Sequence, residues 1–172
     1  TGGGSIDVDD IIGNVKLDTS GGGITIGNVN GGDIDAHTSG GNISVADVTG
    51  NVTVDTSGGS ISIGNVDDGN VDAHTSGGNI RVGDVNGDLK VHTSGGSITL
   101  GSVTGKSSIH TSGGNISLSH GGRDVSAHTS GGGIMIGPSK GKVNVHTSGG
   151  NINIGMTDGD VEANTSGGSI SV

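Results

Sequence analysis

The sequence predicts an all-β fold, a single-chain parallel β-solenoid (β-helix) that spans residues 1–172 as one repeat domain. The tetrapeptide Thr-Ser-Gly-Gly occurs nine times, and a degenerate copy, Thr-Gly-Gly-Gly, begins at Thr1. Successive copies start 18 or 19 residues apart, and a fixed period of this size indicates stacked repeats. The chain is therefore expected to form roughly nine and a half coils of about 18 residues each.

Two stretches of each repeat alternate polar and apolar residues, a pattern typical of half-buried strands. In the repeat that begins at Thr75, these stretches are residues 79–82 and 88–93. Neither stretch has a hairpin partner of matching alternation within its own repeat. Each should therefore pair in parallel with the same strand of the next repeat, about 4.8 Å away. We expect a right-handed coil, because parallel crossovers are right-handed in nearly all proteins.

Glycines mark the predicted corners between the strands. In the same repeat, Gly78 closes one corner, and Gly83 and Gly87 flank a corner valine. We expect these glycines to supply positive φ angles and clearance for sharp bends. The two 19-residue repeats have their additional residue at a corner, within 30–33 and 67–70. An insertion at that place leaves the register of the strands unchanged.

The column of corner valines ends before the C-terminal coils. Gly121, Ser139 and Thr157 replace the valine in three successive coils. We expect a looser corner there, with Pro138 and Met156 as local adaptations. The solenoid has no recognisable caps, so an excised part of a longer solenoid is the expectation that we favour over a filament subunit.

The composition argues against several classes of function. Seventeen acidic and seven basic residues give a formal charge of −10, which repels nucleic acid and anionic membrane surfaces. No segment reaches the roughly 18 to 20 apolar residues of a membrane helix, so we expect no membrane insertion. The chain has no cysteine and no aromatic residue, which excludes disulfides and thiol chemistry. We expect no cofactor and no enzymatic activity, because repeated columns form rows of side chains and not converging catalytic groups.

The recurring pattern Thr-Ser-Gly-Gly-x-Ile-x-Ile/Val-Gly-x-Val-x-Gly-x-Val resembles that of an adhesin-like β-solenoid family of bacterial envelope proteins, whose function is largely unknown. The resemblance extends over essentially the whole chain, from Thr1 to Val172. It implies a β-helical fold and an extracellular or cell-surface location. It implies no catalytic residues.

The residue before each Thr-Ser-Gly-Gly forms the most distinctive outward column. Six of the seven histidines belong to it. Five of them lie in consecutive repeats, namely His74, His92, His110, His128 and His146. Imidazoles about 4.8 Å apart can bind transition metals or protonate together at about pH 6. A straight column fits the tetrahedral geometry of zinc poorly, so we favour a stacking ladder and keep the five histidines as candidate metal ligands.

Three other columns have polar side chains. The threonine of each Thr-Ser-Gly-Gly has inward parity, and we expect its hydroxyl to bond to other threonines or to the corner backbone. The other predicted strand presents a flat face of small polar residues, interrupted by Arg81 and Met135. Corner acids, such as Asp84 with Asp88 or the cluster within 67–72, offer oxygen ligands for Ca²⁺, but we favour solvated charge.

These observations favour a non-enzymatic structural or adhesin-like protein, a stalk, spacer or fibre component that is extracellular or at the cell surface. The alternative is a ligand-binding array, with a transition metal along the histidine column, or with ordered water, ice or a glycan on the flat Ser/Asn/Thr face. The expected partners are other copies of the chain, through uncapped ends, and a glycan or another surface ligand. Nucleic acid is not an expected partner.

Overall fold

The computed structural model describes residues 1–172 and contains strands, turns and bends but no helix. Its strands are numbered β1 to β23 along the chain, and each pairs in parallel with the equivalent strand one repeat away. The register matches the repeat, since Ile61 lies opposite Ile80 and Val71 lies opposite Leu89. The predicted parallel β-solenoid of about 18 residues per coil is therefore confirmed. A helix able to cross a membrane is not found.

Sheet A is the larger of the two main sheets and has ten strands. Its strands are β1 (Ile6–Val8), β4 (Ile24–Ile26), β7 (Ile43–Val45), β10 (Ile61–Ile63), β13 (Ile80–Val82), β15 (Ile98–Val103), β17 (Ile116–Gly121), β19 (Ile134–Ile136), β21 (Ile152–Ile154) and β23 (Ile170–Ser171). These strands follow the Thr-Ser-Gly-Gly corners, as the alternation predicts.

Sheet B has nine strands, and each ends at or next to the threonine of a Thr-Ser-Gly-Gly copy. Its strands are β3 (Val15–Thr19), β6 (Ile34–Thr38), β9 (Val52–Thr56), β12 (Val71–Thr75), β14 (Leu89–His92), β16 (Ser107–His110), β18 (Val125–His128), β20 (Val143–Thr147) and β22 (Val161–Thr165). The strands of sheet B pair in the same register from coil to coil, so each outward residue forms a column along the solenoid.

A short corner sheet connects sheet A to sheet B in the first coils. Its four strands are β2 (Ile11–Ile12), β5 (Val29–Asn30), β8 (Val48–Thr49) and β11 (Val66–Asp67). From Val85 onward, this pairing narrows mostly to single bridges between coils. Each coil therefore has three pairing segments.

The interior is a single core of stacked aliphatic side chains. It contains 35 buried hydrophobic residues in one cluster. In the repeat used above, Ile80, Val82, Val85, Leu89 and Val91 are each no more than 2% exposed. The five inward side chains expected for each coil are therefore confirmed for this one. Because the aliphatic chains stack on their equivalents in the next coil, the core is continuous along the solenoid axis.

The glycines of Thr-Ser-Gly-Gly are required for clearance, and the expectation that they adopt positive φ angles is wrong. Positive φ occurs at Gly13, Gly31, Gly50 and Asp68 only, and all four lie at the corner that leads into sheet B. A Cβ on Gly96 would instead overlap the backbone of the preceding coil. The second glycine of each pair is therefore needed because the backbones of two coils approach each other too closely for a side chain.

The two insertions lie where the sequence predicts them. Gly31 and Asp68 are the additional corner residues, and both have left-handed φ angles, 68° and 53°. Pairing on either side is unaffected, since Val15 lies opposite Ile34 and Val52 lies opposite Val71. The left-handed residue takes up the additional length within the turn, so the strands stay in register.

The corner after the last valine keeps its bonding between coils, so it is less loose than expected. The N–H of Gly121 donates to the carbonyl of Pro138 at 3.0 Å, and that of Ser139 donates to Met156 at 2.9 Å. The strand pairing at this corner is reduced to single bridges already at Val85, before other residues replace the valines. A cavity of about 400 Å³ opens beside this corner, and the Met156 side chain is 82% exposed, so it does not fill the corner.

Candidate ligand-binding faces

The threonine column is internal and fully bonded. Thr93 is completely buried, and its hydroxyl donates to the carbonyl of Gly78 at 2.8 Å. The same hydroxyl accepts from the N–H of Gly96 at 3.3 Å. Equivalent bonds recur at the other threonines, so the expectation of bonds to the corner backbone is confirmed. From Thr19 to Thr147, the threonines of this column are fully buried, so none of these is free to contact a ligand.

The histidine column has the geometry of a face-to-face stack. We use this name for His74, His92, His110, His128 and His146. Register pairs place each ring opposite the next. Ring centroids are 4.8 to 5.0 Å apart, and neighbouring planes differ by 1° to 7°. All five residues are half-buried, so the expected stacking ladder is confirmed.

Stacking and partial burial disfavour protonation of two members of the histidine column, His92 and His128. Burial lowers the pKa of His92 below its usual value, and His110, His74 and Lys90 lower the pKa further through charge repulsion. The pKa of His128 is lowered in the same way, by burial first and then by its two neighbours in the column. The cause is that a buried charge loses hydration and that like charges repel.

The candidate metal ligands are brought together in a line but do not converge. No three His, Cys, Asp or Glu side chains are grouped so that they could hold one metal ion. Nearly parallel rings direct equivalent nitrogens in the same direction, whereas a zinc site needs ligands from several directions. The geometry of the column therefore gives little support to the transition-metal alternative.

One histidine outside the consecutive run has an acidic partner. Nδ1 of His37 lies 3.2 Å from Oδ1 of Asp55, in the coil that follows. Both side chains are nearly half exposed. His37 therefore has a carboxylate beside it, whereas the histidine column begins two coils later, at His74.

The flat face of sheet A has two outward columns, and the side chains of one of them are used in hydrogen bonds between coils. Oδ1 of Asn79 accepts from the N–H of Ser97 at 2.8 Å, and Oγ of Ser60 accepts from the N–H of Asn79 at 3.1 Å. Only the next outward column remains for a ligand. Its members between the ends are Thr25, Ser44, Ser62, Arg81, Thr99, Ser117, Met135 and Asn153.

Asparagine and aspartate form the same kind of ladder at both other corners. Oδ1 of Asp84 accepts from the N–H of Ser102 at 2.7 Å, and Oδ1 of Asp88 accepts from the N–H of Lys106 at 2.8 Å. These acids were expected to be solvated charge or calcium ligands. They are exposed, but each already satisfies a backbone donor of the next coil, which sequence reasoning missed. In the first five coils, each of these two corner columns has Asn or Asp in every coil, and this recurrence was the available signal.

A shallow groove runs along the corner at the start of sheet B. Its cavity volume is about 750 Å³, and its lining alternates in charge between coils. The main charged groups are Asp88, Lys106, Asp124 and Lys142, and the floor includes Ser108. Equal numbers of acidic and basic residues line the groove, so it has no net preference for an anion or a cation.

The negative net charge of the whole chain does not apply to residues 89–157, which form a basic segment. The first 88 residues contain thirteen acids and two basic residues. Residues 89–157 contain five basic residues, Lys90, Lys106, Arg123, Lys140 and Lys142, and one acid, Asp124. This segment also contains five histidines. The charge of −10 therefore does not describe the surface of coils five to eight, and a count along the chain would have shown this.

Comparison with protein-family models finds no match for this chain, and comparisons with curated proteins and solved structures find none either.

Proposed function

We propose that this protein is a non-enzymatic structural β-solenoid, a stiff stalk or spacer that is extracellular or at the cell surface. One observation supports this most: polar side chains at all three corners of the coil are bonded to the backbone of a neighbouring coil. The Asn79, Asp84 and Asp88 bonds are examples, one for each corner. Side chains bonded in this way hold the coils together and make the solenoid rigid along its length.

Stiffness follows from bonds distributed around each coil. The structure has 106 backbone hydrogen bonds, and coil-to-coil bonds occur in sheet A, in sheet B and at the corners. Bending would stretch the bonds on one side of the solenoid while compressing the other. Ten stacked segments at about 4.8 Å give a rod roughly 45 Å long. A cell-surface location and an adhesin-like role are proposed from the sequence resemblance.

The ligand-binding alternatives have less support. Ice or ordered water needs a regular array, and Arg81 and Met135 interrupt the free column of sheet A. A transition metal needs convergent ligands, which the histidine column lacks. Titration with Zn²⁺ tests the second alternative directly, because a bound metal raises the melting temperature of the folded chain.

The spacer proposal is tested by measuring distances along the rod. Because the chain has no cysteine, Ser20→Cys with Ser166→Cys introduces two unique positions for spin labels. Both serines are exposed and lie eight repeats apart. Pulsed electron paramagnetic resonance should give one narrow distance distribution centred at about 38 Å, plus the length of the labels.

The matched control is Ser20→Cys with Ser94→Cys, which are four repeats apart. A rigid rod predicts that this distance is about half the longer one. A broad distribution for the long pair together with a narrow one for the short pair would show that the solenoid bends, and the spacer proposal would then be abandoned.

A further inference from the structure

From its second member onward, the histidine column lies on a part of sheet B whose outward side chains include no carboxylate. From His92 to His146, the neighbouring outward residues on the same strands are Lys90, Ser108, Ser126 and Asn144. The turn that follows each strand contributes only serine and glycine. A protonated imidazole in this stretch therefore has no anion of the protein beside it.

Charged groups face the column only at its two ends and at the far corner of sheet B. At the first end are Asp55, opposite His74, and Asp72, whose Oδ2 lies 3.3 Å from Nζ of Lys90. At the second end is Glu162, 3.8 Å from Nζ of Lys142. The charged residues at the far corner are Asp88, Lys106, Asp124 and Lys142.

Protonation would turn the column into a line of positive charge. Neighbouring protonated rings would repel one another, because their centroids are only about 5 Å apart. The column is about 20 Å long from the first ring to the last. Anions spaced along one line would relieve this repulsion, and a linear polymer supplies them in one molecule with one loss of translational freedom.

We propose that the outward face of sheet B, along the histidine column, binds a linear acidic polysaccharide when the imidazoles are protonated. The charges are complementary, since carboxylates of a sugar acid meet imidazolium groups and Lys90. Ser108, Ser126 and Asn144 add hydrogen-bonding groups for sugar hydroxyls. A nucleic acid is less well matched, because the chain has no Phe, Tyr or Trp on which bases could stack.

Acid also reduces the repulsion from the rest of the molecule. The formal charge of −10 counts all seven histidines as neutral, so their full protonation leaves −3. Carboxyl groups with a pKa near that of Asp, about 3.9, remain ionised at about pH 5. Binding is therefore expected to strengthen as the pH falls below about 6.5, the usual imidazole value, while the carboxylates of the polymer stay ionised.

Binding and protonation must be linked reciprocally. If a polyanion binds the protonated column more tightly, the bound polyanion raises the pKa of the imidazoles by the same free energy. Complex formation at a pH just above the imidazole pKa therefore takes up protons. This property distinguishes the histidine column from the permanently charged lysines. The inference goes beyond the spacer proposal and does not depend on it.

The test is isothermal titration calorimetry of the full chain with polygalacturonate, a linear polymer of a sugar acid, at about pH 5 and about pH 7.5. Affinity is expected to be at least tenfold higher at the lower pH, which corresponds to about 1.4 kcal/mol. The apparent enthalpy at about pH 6 is expected to vary with the ionisation enthalpy of the buffer, which reports proton uptake. Dextran, a neutral polymer, is expected not to bind.

Two variants assign the effect to the column. His92→Gln, His110→Gln and His128→Gln together should remove the pH dependence and the proton uptake. His120→Gln, outside the column, is the matched control and should leave both unchanged. Replacing the same three histidines by lysine should give binding at both pH values. Circular dichroism checks that each variant keeps its β structure.

Several outcomes overturn the proposal. Equal affinity at the two pH values, unchanged binding by the glutamine variant, or equal binding of dextran would each do so. Tighter binding of single-stranded DNA than of polygalacturonate would replace the polysaccharide by a nucleic acid. None of these outcomes changes the distances between spin labels, so the spacer proposal stands or fails separately.

Discussion

Ser107 is a buried polar residue in a column of aliphatic ones. Leu89 lies opposite Ser107 in the preceding coil, and Val125 lies opposite it in the next. The side chain is 3% exposed, and its hydroxyl has no hydrogen-bond partner. We predict that replacing this serine by an apolar residue stabilises the protein.

The magnitude follows from two contributions. A buried hydroxyl without a partner costs about 1–3 kcal/mol of folding free energy, and Ser107→Ala removes this cost without adding volume. Ser107→Val adds two methyl groups, each worth about 0.8 kcal/mol when fully buried. Steric strain offsets part of that gain, because packed cores resist added volume. We therefore expect about 1–3 kcal/mol for alanine and a similar or slightly larger gain for valine.

Thermal and urea unfolding, followed by far-ultraviolet circular dichroism, measure the change. For a chain of this size, 1 kcal/mol shifts the melting temperature by about 2–4 °C. Ser108→Ala, at the exposed position next in sequence, is the control and should change stability by less than about 0.5 kcal/mol. A loss of stability in Ser107→Ala would refute the reasoning, because it would mean that the hydroxyl is bonded to a buried water.

Three other sets of substitutions test the contacts between coils. Gly96→Ala should destabilise the protein by about 3 kcal/mol or more in urea unfolding, since its Cβ overlaps the preceding backbone. Gly95→Ala, with its nearest contact at 3.3 Å, should cost far less, and equal costs would contradict this. Asn79→Ala should cost about 0.5–1.5 kcal/mol through the lost acceptor, whereas Asn79→Asp, which keeps that acceptor, should cost less; equal melting temperatures would show that the bond contributes nothing. The pKa values of His92 and His128 are lowered on folding, so the unfolded chain binds more protons than the folded chain as the pH falls below about 6.5. The free energy of unfolding is therefore highest above about pH 6.5 and decreases as the pH falls. The melting temperature should therefore decrease from about pH 7.5 to about pH 5, and glutamine at both positions should reduce that decrease; an unchanged decrease would assign it to other groups.

The repeat made the strands and their register predictable. Ile80 and Val82 alternate with polar residues, as do Leu89 and Val91, and both runs recur in successive coils. Since a shift by one residue would turn every aliphatic side chain to the surface, the pattern allows one register only. The additional residue at Asp68 was placed correctly for the same reason.

The corner ladders were not predictable from parity. Asn79 and Asp88 both have polar parity, and alternation alone assigns such residues to solvent. Near a corner the chain turns, so the outward side chain also lies above the N–H of the next coil and can accept from it. Detecting this requires the rise between coils and the direction of the turn, which a sequence of alternating residues does not contain. The prediction of a positive φ angle for Gly78 was wrong for a similar reason, because the close approach of two coils cannot be read from the alternation of residues.

Equivalent side chains of an outward column are only about 4.8 Å apart. Stacking therefore imposes an electrostatic condition on every such column, namely that equal charges should not lie in adjacent coils. Two corner columns meet it by never placing equal charges in adjacent coils. One reads Asp10, Asn28, Asp47, Asn65, Asp84, and the other reads Asn70, Asp88, Lys106, Asp124, Lys142. The histidine column places five identical titratable groups in succession, which is compatible with this condition only while the rings are neutral. Acid therefore changes this column more than its neighbours, and a response to pH should originate there.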